Sequence, residues 1–136
     1  MKHAGLDLER VYPELDPETP LGRVLLEPTR IYARPVVKVQ RGYRVKKVIT
    51  GMAHITGGGL AGNLSRALHP GVDAVIDEAA WTAPAVFPFL QSHGRIDEDE
   101  MREVFNMGVG FCLIARPTFA SSIADKLRRL GETVFT

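Results

Sequence analysis

Met52-Ala53-His54-Ile55-Thr56-Gly57-Gly58-Gly59-Leu60, continued by Ala61-Gly62-Asn63-Leu64-Ser65-Arg66, is the stretch around which the chain is organised. The run 45–50 before it is strand-like, and Leu60, Leu64 and Leu68 after it recur at the spacing of one helix face. A strand that passes through a glycine turn into a helix aims several backbone N–H groups at one point. The unpaired donors and the aligned peptide dipoles there favour an anion. Three glycines remove the side chains that would hold a phosphate off the backbone, and they permit positive φ. The stretch is neither a Walker A loop, since no Gly-Lys-Ser/Thr follows, nor a dinucleotide fingerprint. A plain tight turn would also use glycine. Thr56 adds a hydroxyl, Asn63 an amide that can reach back, Arg66 a cation and His54 a group able to exchange a proton near neutral pH. Their convergence on one turn favours a phosphate-binding reading.

The 136 residues suffice for one domain with a real core. Apolar residues make up 45% and charged residues 24%, as in an ordinary globular protein. The 17 basic and 16 acidic residues nearly cancel, so no net field favours nucleic acid or an anionic membrane as partner. Cys112 is the single cysteine, which excludes an internal disulfide and suits a reducing cytoplasm. Flanked by apolar residues, Cys112 reads as an inert strand thiol rather than a nucleophile. His3, His54, His69 and His93 are too dispersed for a zinc site, and no metal-binding set is expected.

Along the chain, residues 1–21 hold Pro13, Pro17 and Pro20 and read as an extended arm or linker, with 22–136 as the domain. Thr29 is a candidate N-cap for a helix with Ile31, Val36, Val37 and Val39 inward and Pro35 near its start. Residues 45–50 and 72–76 are expected strands. Trp81 and Pro84 open a helix in which Pro88 demands a kink or a late start. The acidic run 97–100 reads as a first helical turn that complements the dipole, rather than a metal cluster. Residues 106–110 form a second glycine turn. Phe111 to Ala115 then reads as a central strand covered on both faces, 118–130 as an amphipathic helix stopped by Gly131, and 132–136 as the start of one more strand. The expected class is α+β, a layered α/β domain with a mixed β-sheet covered by helices.

Three motifs stand in register: His54-Ile55-Thr56-Gly57-Gly58-Gly59-Leu60 with Asn63 and Arg66, then Glu100-Met101-Arg102-Glu103-Val104-Phe105-Asn106-Met107-Gly108-Val109-Gly110, and before both Leu25-Leu26-Glu27-Pro28-Thr29-Arg30-Ile31-Tyr32. In this the chain resembles, from about Leu21 onward, the C-terminal domain of aminoimidazole ribonucleotide synthetase, or phosphoribosylformylglycinamidine cyclo-ligase. The resemblance implies ATP-dependent closure of the imidazole ring in purine biosynthesis, with formylglycinamidine ribonucleotide as substrate and magnesium accompanying the nucleotide. It implies that Thr56, Gly57, Gly58, Gly59, Asn63 and Arg66 hold a phosphate group, that Thr29 and Arg30 line the same cleft, and that His54 orients or protonates as the catalytic residue. Asn106, Gly108 and Gly110 would form the supporting turn behind the glycine loop. It further implies a homodimer in the cytoplasm, and an N-terminal domain, in cis or in trans, that carries most ATP and magnesium ligands. That domain is not in this sequence, so the chain alone is expected to be inactive. The alternatives are a non-catalytic domain of the same fold that binds a phosphorylated metabolite or a partner, and a structural remnant without anion affinity.

Overall fold

The computed structural model describes residues 4–44 and 47–136. Among them the order is α1 (Leu21–Leu25), α2 (Ala33–Arg41), β1 (Ile49–His54), α3 (Gly59–Leu64), α4 (Val86–Gly94), α5 (Glu98–Val104), β2 (Phe111–Ala115) and α6 (Pro117–Arg129). This is the α+β layered class that the sequence predicts.

Prolines set three of the helix starts. A proline in a helix interior removes a hydrogen bond and clashes with the preceding turn, whereas the first turn tolerates it. Pro35 therefore fixes the start of α2 at Ala33, so Tyr32, not Thr29, is the flanking residue. Ile31 consequently lies outside the helix, 79% exposed, and Val37 also faces outward, while Val36 and Val39 are buried. Pro88 likewise takes a first-turn position, because α4 begins at Val86 rather than near Trp81: the late start, not the kink. Pro117 is the first residue of α6, and Gly131, at φ +86, follows its end.

The sheet has two antiparallel strands, with Ile49 opposite Ala115, Ala53 opposite Cys112 and His54 opposite Phe111. Two further bonds prolong the ladder, Arg116 N–H to Val48 O at 3.0 Å and Ile55 N–H to Gly110 O at 2.9 Å. A bulge lies between Ile49 and Gly51. Gly51 is demanded there, since a Cβ would come within 2.7 Å of the Ala67 carbonyl oxygen.

Several strand expectations are corrected. The first strand lies later than 45–50 and runs through His54; Val45 and Lys46 fall outside the described residues. Residues 72–76 pair with nothing among the described residues, and Val75 is fully exposed. Residues 132–136 do not enter a ladder either. The chain turns back at Gly131, the Glu132 N–H bonds to Leu127 O at 3.1 Å, and Arg128 Nη2 holds Val134 O at 3.2 Å. Without those two strands the described sheet is purely antiparallel, and β2 is half-buried along its length rather than doubly covered.

Two hydrophobic clusters share no residue. Val39, Val48, Ile123 and Leu127 join α2 and α6 to the sheet, with Leu113, Phe119 and Val134 packed alongside. Each such side chain contributes roughly 1.5–3 kcal/mol by its burial. The second cluster joins Tyr12, Leu21 and Phe89, with Leu6, Leu15, Leu25 and Leu90 around them. Residues 4–20 thus carry core contacts of their own. Tyr12 meets Phe89 edge-on at 5.2 Å, and its hydroxyl accepts from the Asp7 N–H at 3.0 Å. No described helix is long and apolar enough to cross a membrane.

Candidate functional site

Each side of the glycine turn is anchored by a different element. On its N-terminal side β1 ends at His54, and Ile55, 2% exposed, bonds to Gly110 and locks the chain beside the 106–110 turn. On its C-terminal side α3 begins at Gly59. Gly58 has φ +96 and Gly59 φ +63, the left-handed region that glycine enters without strain. Gly59 is buried, and a Cβ on it would collide with the carbonyl oxygen of Arg102 and crowd that of Glu103. The turn therefore rests, backbone on backbone, on the last turn of α5.

Asn63 closes the loop from inside. Its Nδ2 donates to the carbonyls of Gly59 at 2.7 Å, Gly57 at 3.2 Å and Thr56 at 3.4 Å. Gathering the carbonyls on one side leaves the other side to the amides. Among the described residues the N–H groups of Gly57 and Gly58 donate to no protein atom. Thr56, Gly57 and Gly58 are exposed, and Gly57 faces open space. Arg66 follows in the 3₁₀ turn Ser65–Ala67, exposed and without an ion pair among the described residues. Because Asn63 offers its amide to three carbonyls, Asn63→Asp reverses the interaction and adds charge. The loss expected is about 2 kcal/mol or more, against about 1 kcal/mol for Asn63→Ala, readable by thermal unfolding.

His54 is exposed at the strand end, and its ring forms a triangle with those of Tyr32 (5.9 Å) and Phe111 (6.0 Å), which are 5.4 Å from each other. Tyr32 is a neighbour the sequence does not disclose, since no periodicity links the residue before α2 to the end of β1. Its hydroxyl lies where a Cβ on Gly110 would stand. The supporting turn is built by Asn106, whose Oδ1 accepts from the Gly108 N–H at 3.0 Å and whose carbonyl accepts from the Val109 N–H at 2.9 Å. Gly108, at φ +95, packs against Pro84, and Trp81 Nε1 donates to Met107 O at 3.0 Å.

Thr29 and Arg30 are placed differently. Arg30 donates from Nη2 to Gly131 O at 2.9 Å and pairs through Nε with Glu132 at 2.9 Å. No hydrogen bond or ion pair joins Thr29 or Arg30 to the glycine turn among the described residues. Glu98 and Asp99 of α5 pair with Arg102, the latter at 3.4 Å, and Glu78, outside that helix, pairs with it at 3.0 Å. The Glu78 hydrogen bond is the chief reason why the Arg102 guanidinium is held above its ordinary pKa. Burial pushes the Cys112 thiol up. No three His, Cys, Asp or Glu side chains among the described residues are grouped to hold a metal.

The family described as AIR synthase related protein, C-terminal domain, matches residues 3–135. The phosphoribosylformylglycinamidine cyclo-ligase of Bacillus velezensis is 46% identical over 131 residues, 96% of this chain and 36% of the relative. Those of Bacillus subtilis and Desulfitobacterium hafniense are 42% and 45% identical, over 97% and 93% of this chain and 36% of each relative. The chain thus spans little more than a third of the length of the curated relatives it matches. With a family match from residue 3 to residue 135, and the glycine turn, its Asn63 brace and the 106–110 turn assembled within it, the chain belongs to the C-terminal domain family of AIR synthase related proteins.

Proposed function

We propose that this chain is the phosphate-holding side of a cyclo-ligase that closes the imidazole ring of a phosphorylated ribonucleotide at the expense of ATP. The observation that carries the reading is the exposed turn whose Gly57 and Gly58 amides are left free while Asn63 draws its carbonyls away. Backbone amides fixed in this way can neutralise a phosphate without reorganising, which is what phosphoryl transfer asks of a protein. Arg66 supplies the charge, Thr56 a hydroxyl, and His54 a proton donor or acceptor at the mouth. Thr29 and Arg30 enter the reading through the resemblance to the cyclo-ligases alone.

ATP would supply the phosphoryl group that turns an amide oxygen into a leaving group. By the resemblance to the cyclo-ligases we place the nucleotide and metal ligands in the further part of the relatives, contributed in cis or in trans, with a homodimer as the assembly and the cytoplasm as the compartment.

Thermal unfolding with millimolar inorganic phosphate or a phosphorylated ribonucleotide tests the site, since a ligand that binds only the folded state raises the midpoint by mass action. The expected result is a rise that Arg66→Ala removes. Gly57→Ala should lower affinity without altering the unliganded midpoint, because its Cβ meets nothing within 4 Å. An equal rise in parent and Arg66→Ala would refute the phosphate role. Mixing the chain with the N-terminal segment of a relative should restore ATP-dependent product formation. Turnover by the chain alone would overturn the need for that partner.

A further inference from the structure

The basic residues on the face shared by α2 and the end of α6 fall into two groups. Some are committed to the fold. Lys126 donates to Gly42 O at 2.9 Å and lies 3.6 Å from the Tyr43 ring centre, and Arg128 is taken by Asp125 and Val134 O. Arg34, Lys38 and Arg129 are not: all three are exposed and make no ion pair among the described residues. They line one concavity of about 560 Å³ together with Arg30 and Glu132. Glu132, the acid in that lining, is already paired with Arg30 at 2.9 Å, so it leaves the other three cations uncompensated.

Three unpaired cations in one concavity repel one another unless an anion enters. The α2 sequence offers no relief, since no acidic residue stands in its first turn. Arg34 and Lys38 are four residues apart and so lie side by side on the helix. The volume falls in the range of small-molecule sites rather than of macromolecular surfaces. Ile31 and Leu130, 79% and 37% exposed, give one wall an apolar surface on which an uncharged part of a ligand can rest.

We propose that this groove is a second anion site, separate from the glycine turn, and that it binds a metabolite bearing two or more phosphate charges. Arg30, fixed by Gly131 O and Glu132, forms one rim, and Arg34, Lys38 and Arg129 hold the phosphates. The proposal does not depend on the reading of the glycine turn.

Calorimetric titration of the full chain with inorganic pyrophosphate tests it. The dissociation constant should rise about tenfold or more in the double variant Arg34→Ala, Lys38→Ala, as expected when charge-assisted contacts are lost. The same loss should appear in the Arg66→Ala background, where the phosphate response of the glycine turn is already removed, and Arg34→Lys with Lys38→Arg should restore most of the affinity. All these positions are exposed, so an unchanged thermal midpoint identifies the loss as one of binding. Undiminished affinity in the double variant would overturn the proposal. So would disappearance of the double variant's effect in the Arg66→Ala background, or no binding of pyrophosphate at about 10 mM. Binding of an acidic peptide in place of pyrophosphate would overturn it in favour of a docking surface.

Discussion

Replacing Gly59 by alanine is expected to lower the melting temperature of the chain by roughly 10 °C. Two costs add. At φ +63 a Cβ is strained by about 1–3 kcal/mol, and the new methyl meets the Arg102 carbonyl oxygen, part of a helix backbone that cannot step aside like a side chain. Overpacking of this kind adds a further 1–3 kcal/mol or so. Against a typical stability of about 5–15 kcal/mol the sum is large. The neighbouring glycines are internal controls. Gly58→Ala carries backbone strain alone, since the nearest atom is Asn63 Nδ2 at 3.6 Å, and Gly57→Ala carries neither cost. The midpoints should therefore fall in the order Gly57→Ala, Gly58→Ala, Gly59→Ala. A Gly59→Ala midpoint within about 3 °C of the parent would mean that the turn does not rest on α5 as described.

Leu21→Ala is the second large effect. Leu21 is completely buried between Tyr12 and Phe89, and emptying such a site costs about 2–5 kcal/mol. The consequence should be localised, because this cluster shares no residue with the one that joins α2, α6 and the sheet. Tryptic cleavage after Arg10 should accelerate in the variant while α6 stays protected, and the response of the glycine turn to phosphate should survive. Cleavage that begins instead in α6 would show that the two clusters melt as one.

The local turns and helix starts were more legible in the sequence than the sheet. The glycine turn, the acidic first turn of α5, the 106–110 turn and the amphipathic α6 all announce themselves locally, through glycine at positive φ, charge at a helix start or apolar spacing. Asn63 was legible as an amide within reach of the turn, though not the three carbonyls it holds. Strands are another matter, because pairing is not local. Residues 72–76 and 132–136 carry strand-like composition but enter no ladder among the described residues. His54 belongs to a strand because Phe111 lies opposite, which no nearby residue reveals. Arg30 shows the same limit from the other side. Its place in a motif suggested the glycine cleft, while its bonds to Gly131 and Glu132 come from the far end of the chain.

The position of Cys112 has a practical consequence. It faces Ala53 one step from the His54–Phe111 pair, and partial burial raises the pKa of its thiol and slows its reaction. Any event that parts the two strands next to His54 exposes that half-buried sulfur further. The rate at which a maleimide modifies the chain is thus a clock for breathing of the ladder, and a phosphate seated in the turn should make it run slower.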